Sequence, residues 1–173
     1  FAAVAGFDKP GTGSDRGAAG IYRSDDAGET WTRITTDTRP AGRIGGGDLP
    51  MPILHPKDPD IVIMASTVSW KSTDGGRTWT SFKGAPGGED YQNGWINPDN
   101  PDIILLAADQ GAVVTLNGGD TWSSWYNQPT GQFYRVAVDD RFPYRVYGAQ
   151  QDNTTVAIAS RSRGREIGRE EWH

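Results

Sequence analysis

The sequence predicts an all-β chain made of small four-stranded sheets, and three observations carry that prediction. An octapeptide recurs three times. A proline-aspartate turn recurs out of phase with it. No convincing stretch shows apolar residues at a 3.6-residue spacing, so few helices are expected. The composition agrees: 23 Gly and seven Trp, with evenly spaced turn signals, fit strands joined by tight loops.

The octapeptides are Ser24-Asp-Asp-Ala-Gly-Glu-Thr-Trp31, Ser72-Thr-Asp-Gly-Gly-Arg-Thr-Trp79 and Thr115-Leu-Asn-Gly-Gly-Asp-Thr-Trp122, starting 48 and 43 residues apart. Ser24, Ser72 and Thr115 occupy one position of the pattern, Asp26, Asp74 and Asn117 the next, Gly28, Gly76 and Gly119 the third, and Trp31, Trp79 and Trp122 the last. The carboxylate or amide accepts bonds from turn amides, and the glycine permits positive φ. The tryptophan enters the following strand and packs its large apolar face between neighbouring sheets. All twelve positions are therefore read as structural.

The second element is His55-Pro-Lys-Asp-Pro-Asp-Ile-Val-Ile-Met-Ala-Ser66, matched by Asn97-Pro-Asp-Asn-Pro-Asp-Ile-Ile-Leu-Leu-Ala-Ala108. A weaker copy runs from Asp139 to Gln150, with starts 42 residues apart both times. Proline presets φ for a turn, Asp or Asn bonds the local backbone, and the unbroken apolar run that follows reads as a buried strand. A shared period of 42 to 48 residues is about one four-stranded propeller blade. The chain is expected to be a partial β-propeller over 1–173, with blades at roughly 1–35, 50–83, 91–126 and 131–173. That makes about 3.5–4 blades of a larger ring.

Strands within each blade are labelled A to D outward from the propeller axis. The first blade is expected to be incomplete, with B at 1–6, C at 20–24 and D at 30–35. The second runs 51–54, 61–66, 69–72 and 78–82, the third 92–96, 103–108, 112–116 and 121–125, and the fourth 132–138, 145–149, 155–160 and 166–172. The fourth lacks a proper octapeptide: Ser160-Arg-Ser-Arg-Gly-Arg-Glu-Ile keeps Gly164 but no Asp.

Charge and composition narrow the function classes. The net charge is −5, which disfavours nucleic acid as a partner, and Arg161, Arg163 and Arg165 read as a solvated hairpin tip. There is no Cys, and the only histidines are His55 and His173, so neither a thiolate or His-rich metal site nor a Ser-His-Asp triad is expected. No cofactor and no metal are expected. No apolar run reaches membrane-spanning length. The chain starts with Phe1 and runs out at Glu171-Trp172-His173 with no visible stop pattern, so a fragment is expected, with the remaining blades of the parent chain as its immediate partners; no signal peptide is visible in it.

Because strands alternate in direction, loops sort onto two faces. The repeated turns share one face, and the non-repeating D–A and B–C loops share the other, where function usually sits. That second face collects the candidate catalytic acids Asp48, Glu89, Asp90, Asp109 and Asp152. It also holds the candidate ligand-binding residues Tyr91, Gln110, Gln151 and Asn153, with Tyr126 as a further aromatic. Glycoside hydrolysis uses two carboxyls about 5–10 Å apart across the scissile bond, while amides bond hydroxyls and aromatics stack on sugar faces. No spacing rule selects a pair among the five acids. Gly11-Thr-Gly13 and Gly45-Gly46-Gly47 lack the residues of a phosphate loop, and the Asp-rich turns lack the ligand density of a calcium loop.

The octapeptides resemble the Asp-boxes of BNR-repeat proteins, namely sialidases, sortilin-type receptors and the xyloglucanases of glycoside hydrolase family 74. The segments 87–92, 95–106, 122–130 and 142–153 are similar to a group of large, typically exported bacterial proteins. That group is described as glycosyl hydrolases with BNR or sortilin-like repeats. The resemblance implies an extracellular or periplasmic propeller acting on a glycan or polysaccharide, or a sortilin-like propeller binding a peptide or protein. The sialidase arginines do not map onto Arg43, Arg135 or Arg145, and the xyloglucanase acids align with no residue here, so no catalytic residue is carried over.

Overall fold

A computed structural model describes residues 1–4, 19–42, 49–84, 90–125, 131–151, 154–162, 164 and 166–171. The chain divides into two compact units, Phe1–Asn127 and Gln128–His173.

Among the described residues the first unit holds three antiparallel sheets. The first is β1 (Ala2–Val4), β2 (Gly20–Arg23) and β3 (Thr32–Thr35), in the B, C and D positions expected of an incomplete blade. The second is β4 (Met51–Leu54), β5 (Val62–Ala65), β6 (Ser69–Ser72) and β7 (Thr80–Lys83), a complete four-stranded blade in sequential order. The third is β8 (Tyr91–Ile96), β9 (Ile104–Ala108) and β10 (Gly111–Thr115). In the second unit the described residues form the sheet β11 (Phe133–Val138), β12 (Arg145–Gln150) and β13 (Thr155–Ala159). These are the up-and-down sheets of propeller blades.

Two expected outer strands are not formed as strands. At 121–125 the Ser123 N–H bonds the Val114 carbonyl at 2.8 Å, but Val114 N–H returns its bond to the Ser123 hydroxyl at 3.0 Å. A side-chain oxygen thus replaces the backbone carbonyl and the ladder stops. At 166–172 the chain instead forms a 3-10 turn over Arg169–Glu171. No acid stands at the Asp position of this fourth box. The Ser162 hydroxyl accepts the Gly164 N–H at 2.9 Å.

Two cores lie at the joints between sheets of the first unit. One gathers Ile21 of the first sheet and Ala41 with Val62, Met64 and Trp79 of the second, flanked by Phe1, Ala3, Ile34 and Trp70. The other gathers Ile53, Ile63 and Ala65 of the second sheet with Tyr91, Ile96, Ile104, Leu106 and Val113 of the third. The central strand β5 (Val62–Ala65) is buried at all four residues because its two faces serve the two cores.

A repeated device fastens each joint. β2 and β3 pair Ile21 with Thr35 and Tyr22 with Arg33, leaving Ile34 as the extra residue of a bulge. β6 and β7 pair Ser69 with Lys83 and Trp70 with Ser81, leaving Phe82 in the same place. A bulge re-aims a side chain, and here it aims an apolar knob at the next Asp-box. A Cβ on Gly76 would lie 2.4 Å from Ile34 Cδ1, and one on Gly119 would lie 2.3 Å from Phe82 Cε2. These glycines, at φ 87° and 109°, are holes as well as turn residues.

Polar links accompany the knobs. Arg23 Nη1 donates to Asp60 Oδ1 at 2.9 Å, and Lys57 Nζ donates to the Asp99 carbonyl at 2.9 Å, each from one blade to the next. Within blades, Gly75 N–H bonds the Asp60 carbonyl and Gly118 N–H the Asp102 carbonyl, both at 2.9 Å, tying each Asp-box to its own proline-aspartate turn.

Candidate functional site

The repeated-turn face is filled by its own hydrogen bonds. In the first box Ser24 Oγ donates to Asp26 Oδ1 at 2.7 Å and accepts Gly28 N–H at 2.7 Å, while Asp26 Oδ1 accepts Thr30 N–H at 2.9 Å. In the second, Ser72, Asp74, Gly76 and Thr78 repeat these bonds at 2.8, 2.8 and 2.9 Å. Trp31 and Trp79 each donate Nε1–H to the box glycine carbonyl, at 3.0 and 2.9 Å. The third box keeps the pattern with an amide: Asn117 Oδ1 accepts Thr121 N–H at 2.9 Å, and Asn117 Nδ2 donates to Thr121 Oγ1 at 2.9 Å. The threonine hydroxyl donates to the carboxylate in the first two boxes and accepts in the third.

These bonds favour the ionised acids. The Thr30 hydroxyl, then the Thr30 amide, hold the Asp26 carboxyl down to about 2, and the Thr78 hydroxyl and amide do the same for Asp74. The proline-aspartate turns are capped in parallel. His55 Nδ1 accepts the Lys57 and Asp58 amides at 3.2 and 3.0 Å, Asn97 Oδ1 accepts Asp99 and Asn100 at 2.9 and 3.3 Å, and Asp139 Oδ1 accepts Arg141 and Arg145 at 3.3 and 2.8 Å. His55 is thus a turn cap of the kind that Asn and Asp provide elsewhere.

At the other end of the blades, the structure gathers part of the expected set. Tyr91 pairs with Ala108 across β8 and β9, so Asp90, just before β8, and the Asp109-Gln110 turn, just after β9, lie at one end of the third sheet. Gln92 Nε2 approaches Asp109 Oδ1 at 3.5 Å. Asp90 adopts φ 54°, a left-handed conformation that Asp tolerates better than most residues, and its N–H bonds the Thr67 carbonyl at 3.2 Å. Tyr91 N–H bonds the Ser66 carbonyl at 2.9 Å, so this end is laced to the B–C turn of the second sheet.

Tyr91 itself is fully buried, its ring centroid 6.2 Å from that of Trp125, and burial pushes its phenol up. It is a core side chain with no face open to a ligand. The sequence signal for an exposed aromatic there was only its place in a non-repeating loop, and strand β8 begins one residue earlier than expected. Gln110 stands in the β9–β10 turn as expected. Asp48, Glu89, Asp152, Asn153 and Tyr126 lie outside the described residues.

In the second unit, Gln151 N–H bonds the Gln132 carbonyl at 2.9 Å, and the Tyr134 hydroxyl donates to Gln151 Oε1. Tyr134 is 70 % exposed. It presents an open aromatic face beside an amide, a pairing the sequence reading missed. The available signal was that Tyr134 sits on the A strand two residues beyond Gln132, next to the Gln150-Gln151 turn. A separate groove of about 470 Å³ lies between the outer strand of the second sheet and the third Asp-box, over Phe82, Lys83 and Trp122. Among the described residues it is lined by no carboxylate. Among the described residues no cluster of His, Asp or Glu could hold a metal ion, and no helix is long and apolar enough to cross a membrane.

Comparison with known proteins bears on the boxes directly. Residues 22–33 match the BNR/Asp-box repeat. The chain carries this repeat. The second and third octapeptides reproduce its hydrogen bonds, so the same unit recurs along the first body. Among solved structures, the crystal structure of an ancestral GH74 enzyme is similar over 80 % of this chain and 20 % of that one, at 17 % identity and a TM-score of 0.44. The chain thus spans about a fifth of the length of that enzyme. No curated protein sequence matches it.

Proposed function

We propose that this BNR-repeat chain belongs to an exported carbohydrate-active propeller that hydrolyses glycosidic bonds in a polysaccharide or glycan, at the face bearing the non-repeating loops. The observation that supports this reading most is the convergence of Asp90, Asp109, Gln92 and Gln110 at one end of the third sheet. Two carboxylates on one rigid edge supply the residue types of glycoside hydrolysis, where one acid protonates the leaving oxygen and the other serves as base or nucleophile. The amides beside them suit sugar hydroxyls. Asp48, Glu89 and Asp152 remain candidates for the same face, and Asn153 for ligand contact.

The test is turnover of polysaccharides by the full-length parent protein carrying Asp90→Ala or Asp109→Ala. Loss of activity of about 100-fold or more in either variant is the expected result for an acid-base residue. Unchanged turnover in both removes the catalytic role from the third sheet.

A second reading is a non-catalytic propeller that binds a peptide or protein, as sortilin-type receptors do. It would use main-chain contacts on the same loop face; the burial of Tyr91 takes that ring away from either reading. Retention of the protein on a glycan array supports the first reading, and capture of one protein partner without glycan retention supports the second.

A further inference from the structure

The sequence holds two Asn-Gly pairs, Asn93-Gly94 in β8 and Asn117-Gly118 in the third Asp-box. In such a pair the backbone nitrogen after the asparagine can attack the side-chain amide, because glycine places no Cβ in the way. The two pairs are held differently.

In the third box both reacting groups are engaged elsewhere. Gly118 N–H donates to the Asp102 carbonyl at 2.9 Å. Asn117 Oδ1 accepts the Thr115 hydroxyl at 2.8 Å and Thr121 N–H at 2.9 Å, and Asn117 Nδ2 donates to Thr121 Oγ1 at 2.9 Å. Attack of the Gly118 nitrogen on Asn117 would break these bonds and with them the box.

In β8 the two groups face each other. This strand is an edge of its sheet, paired only with β9 among the described residues. Asn97 N–H bonds the Ile103 carbonyl at 3.0 Å, and the same register pairs Trp95 with Leu105, Gly94 with Leu106 and Asn93 with Ala107. Hydrogen-bonded pairs alternate along an antiparallel ladder, so Gly94 N–H points away from β9. It donates instead to Asn93 Oδ1, at 2.7 Å. A carbonyl bond is about 1.2 Å long, so the Gly94 nitrogen lies within about 4 Å of Asn93 Cγ. Holding reacting atoms this near each other removes much of the entropic cost of bond formation. Packing requires the glycine: a Cβ there would lie 2.7 Å from Ile53 Cδ1 and 2.8 Å from both the Leu105 carbonyl and Leu106 Cδ2.

We propose that Asn93 is a site of spontaneous deamidation in the folded protein, while the third box protects Asn117. The Gly94 nitrogen gives up its proton and bonds Asn93 Cγ. The Cγ–Nδ2 bond breaks, and Nδ2 takes up a proton and leaves as ammonia. Water then opens the five-membered imide at either carbonyl, giving aspartate or isoaspartate at residue 93. Either product places a new carboxylate on the strand that carries Gln92, whose amide approaches Asp109. The proposal does not rest on the hydrolase reading.

The test is incubation of the full 173-residue chain at mildly alkaline pH and physiological temperature, followed by peptide mapping with mass spectrometry. The same chain unfolded in urea is incubated beside it, and circular dichroism checks that the first sample keeps its sheets. Conversion adds about one dalton to the peptide concerned. In the folded chain residue 93 should convert at least about tenfold faster than residue 117, and in urea the two rates should draw together. Folded Asn93 that converts no faster than Asn117, or that stays intact while the unfolded chain converts, overturns the proposal. A difference that persists in urea traces to the local sequence and overturns it as well. Asn93→Gln keeps an amide but would have to close a larger ring, so the folded variant should hold its original mass over the same period; an undiminished gain would place the reaction at another residue.

Discussion

The first and second Asp-boxes have the same local structure and different surroundings. Both join serine, aspartate, glycine and threonine by the same bonds within about 0.2 Å, and both fold tryptophan Nε1–H back onto the glycine carbonyl. Yet Trp79 is 5 % exposed and Trp31 48 %. In the second box the glycine receives Ile34 and the tryptophan joins a core; in the first the glycine meets, among the described residues, only the Trp31 of its own box. The octapeptide therefore builds the turn by itself, while the burial of its tryptophan depends on a neighbouring sheet. The box is a preformed socket, and the sheet before it supplies the plug.

The largest expected effect is at the filled holes. Gly76→Ala or Gly119→Ala combines a strained positive φ with a Cβ driven into Ile34 or Phe82, and should cost about 3 kcal/mol or more. Gly28→Ala meets only the backbone strain, about 1–2 kcal/mol. Chemical denaturation of the three variants checks this, and equal losses at Gly28 and Gly76 would break the socket comparison.

The tryptophans come next. Trp79→Ala empties a core position and should cost about 3–5 kcal/mol, whereas Trp31→Ala loses mainly one hydrogen bond and half a ring of contact, about 1 kcal/mol. Similar shifts in denaturation midpoint for the two would mean that the first box is also covered.

The smallest effect separates the boxes by chemistry. Asp26 and Asp74 are held at about 2, below the ordinary 3.8, so their folded forms favour the ionised state. The stability they contribute is present above pH 3.8 and is lost as pH falls through about 2. The third box carries the amide of Asn117 at that position, with no carboxylate there to protonate. Asp74→Asn should flatten the fall in Tm over that window, and Asn117→Asp should steepen it. An acid limb unaltered in both variants would show that the boxes do not set the acid response.

Much of this fold was legible in the sequence because its signals are local. The Asp-x-Gly-x-Thr-Trp spacing fixes which oxygen meets which amide, and Pro-Asp turns followed by apolar runs place β5, β9 and β12 within a residue or two. The outer strands after Trp122 and Ile167 were misread because a hydroxyl at Ser123 and the missing acid at residue 162 break a pairing that pattern alone cannot weigh. The candidate site was less legible. Asp90 and Asp109 were singled out as loop acids, but their meeting at one sheet end depends on the Tyr91–Ala108 register, and the burial of Tyr91 depends on a neighbouring sheet.

By itself the sequence determined the repeat, its period, the turn chemistry and the all-β blade, since each rests on residues within a few positions of one another. Only the tertiary structure decided which tryptophan is buried, which glycine is a hole, and that Ile34 and Phe82 are the knobs. Those roles join residues some 40 positions apart, and one extra residue in a strand turns a side chain toward a neighbour that no local pattern names.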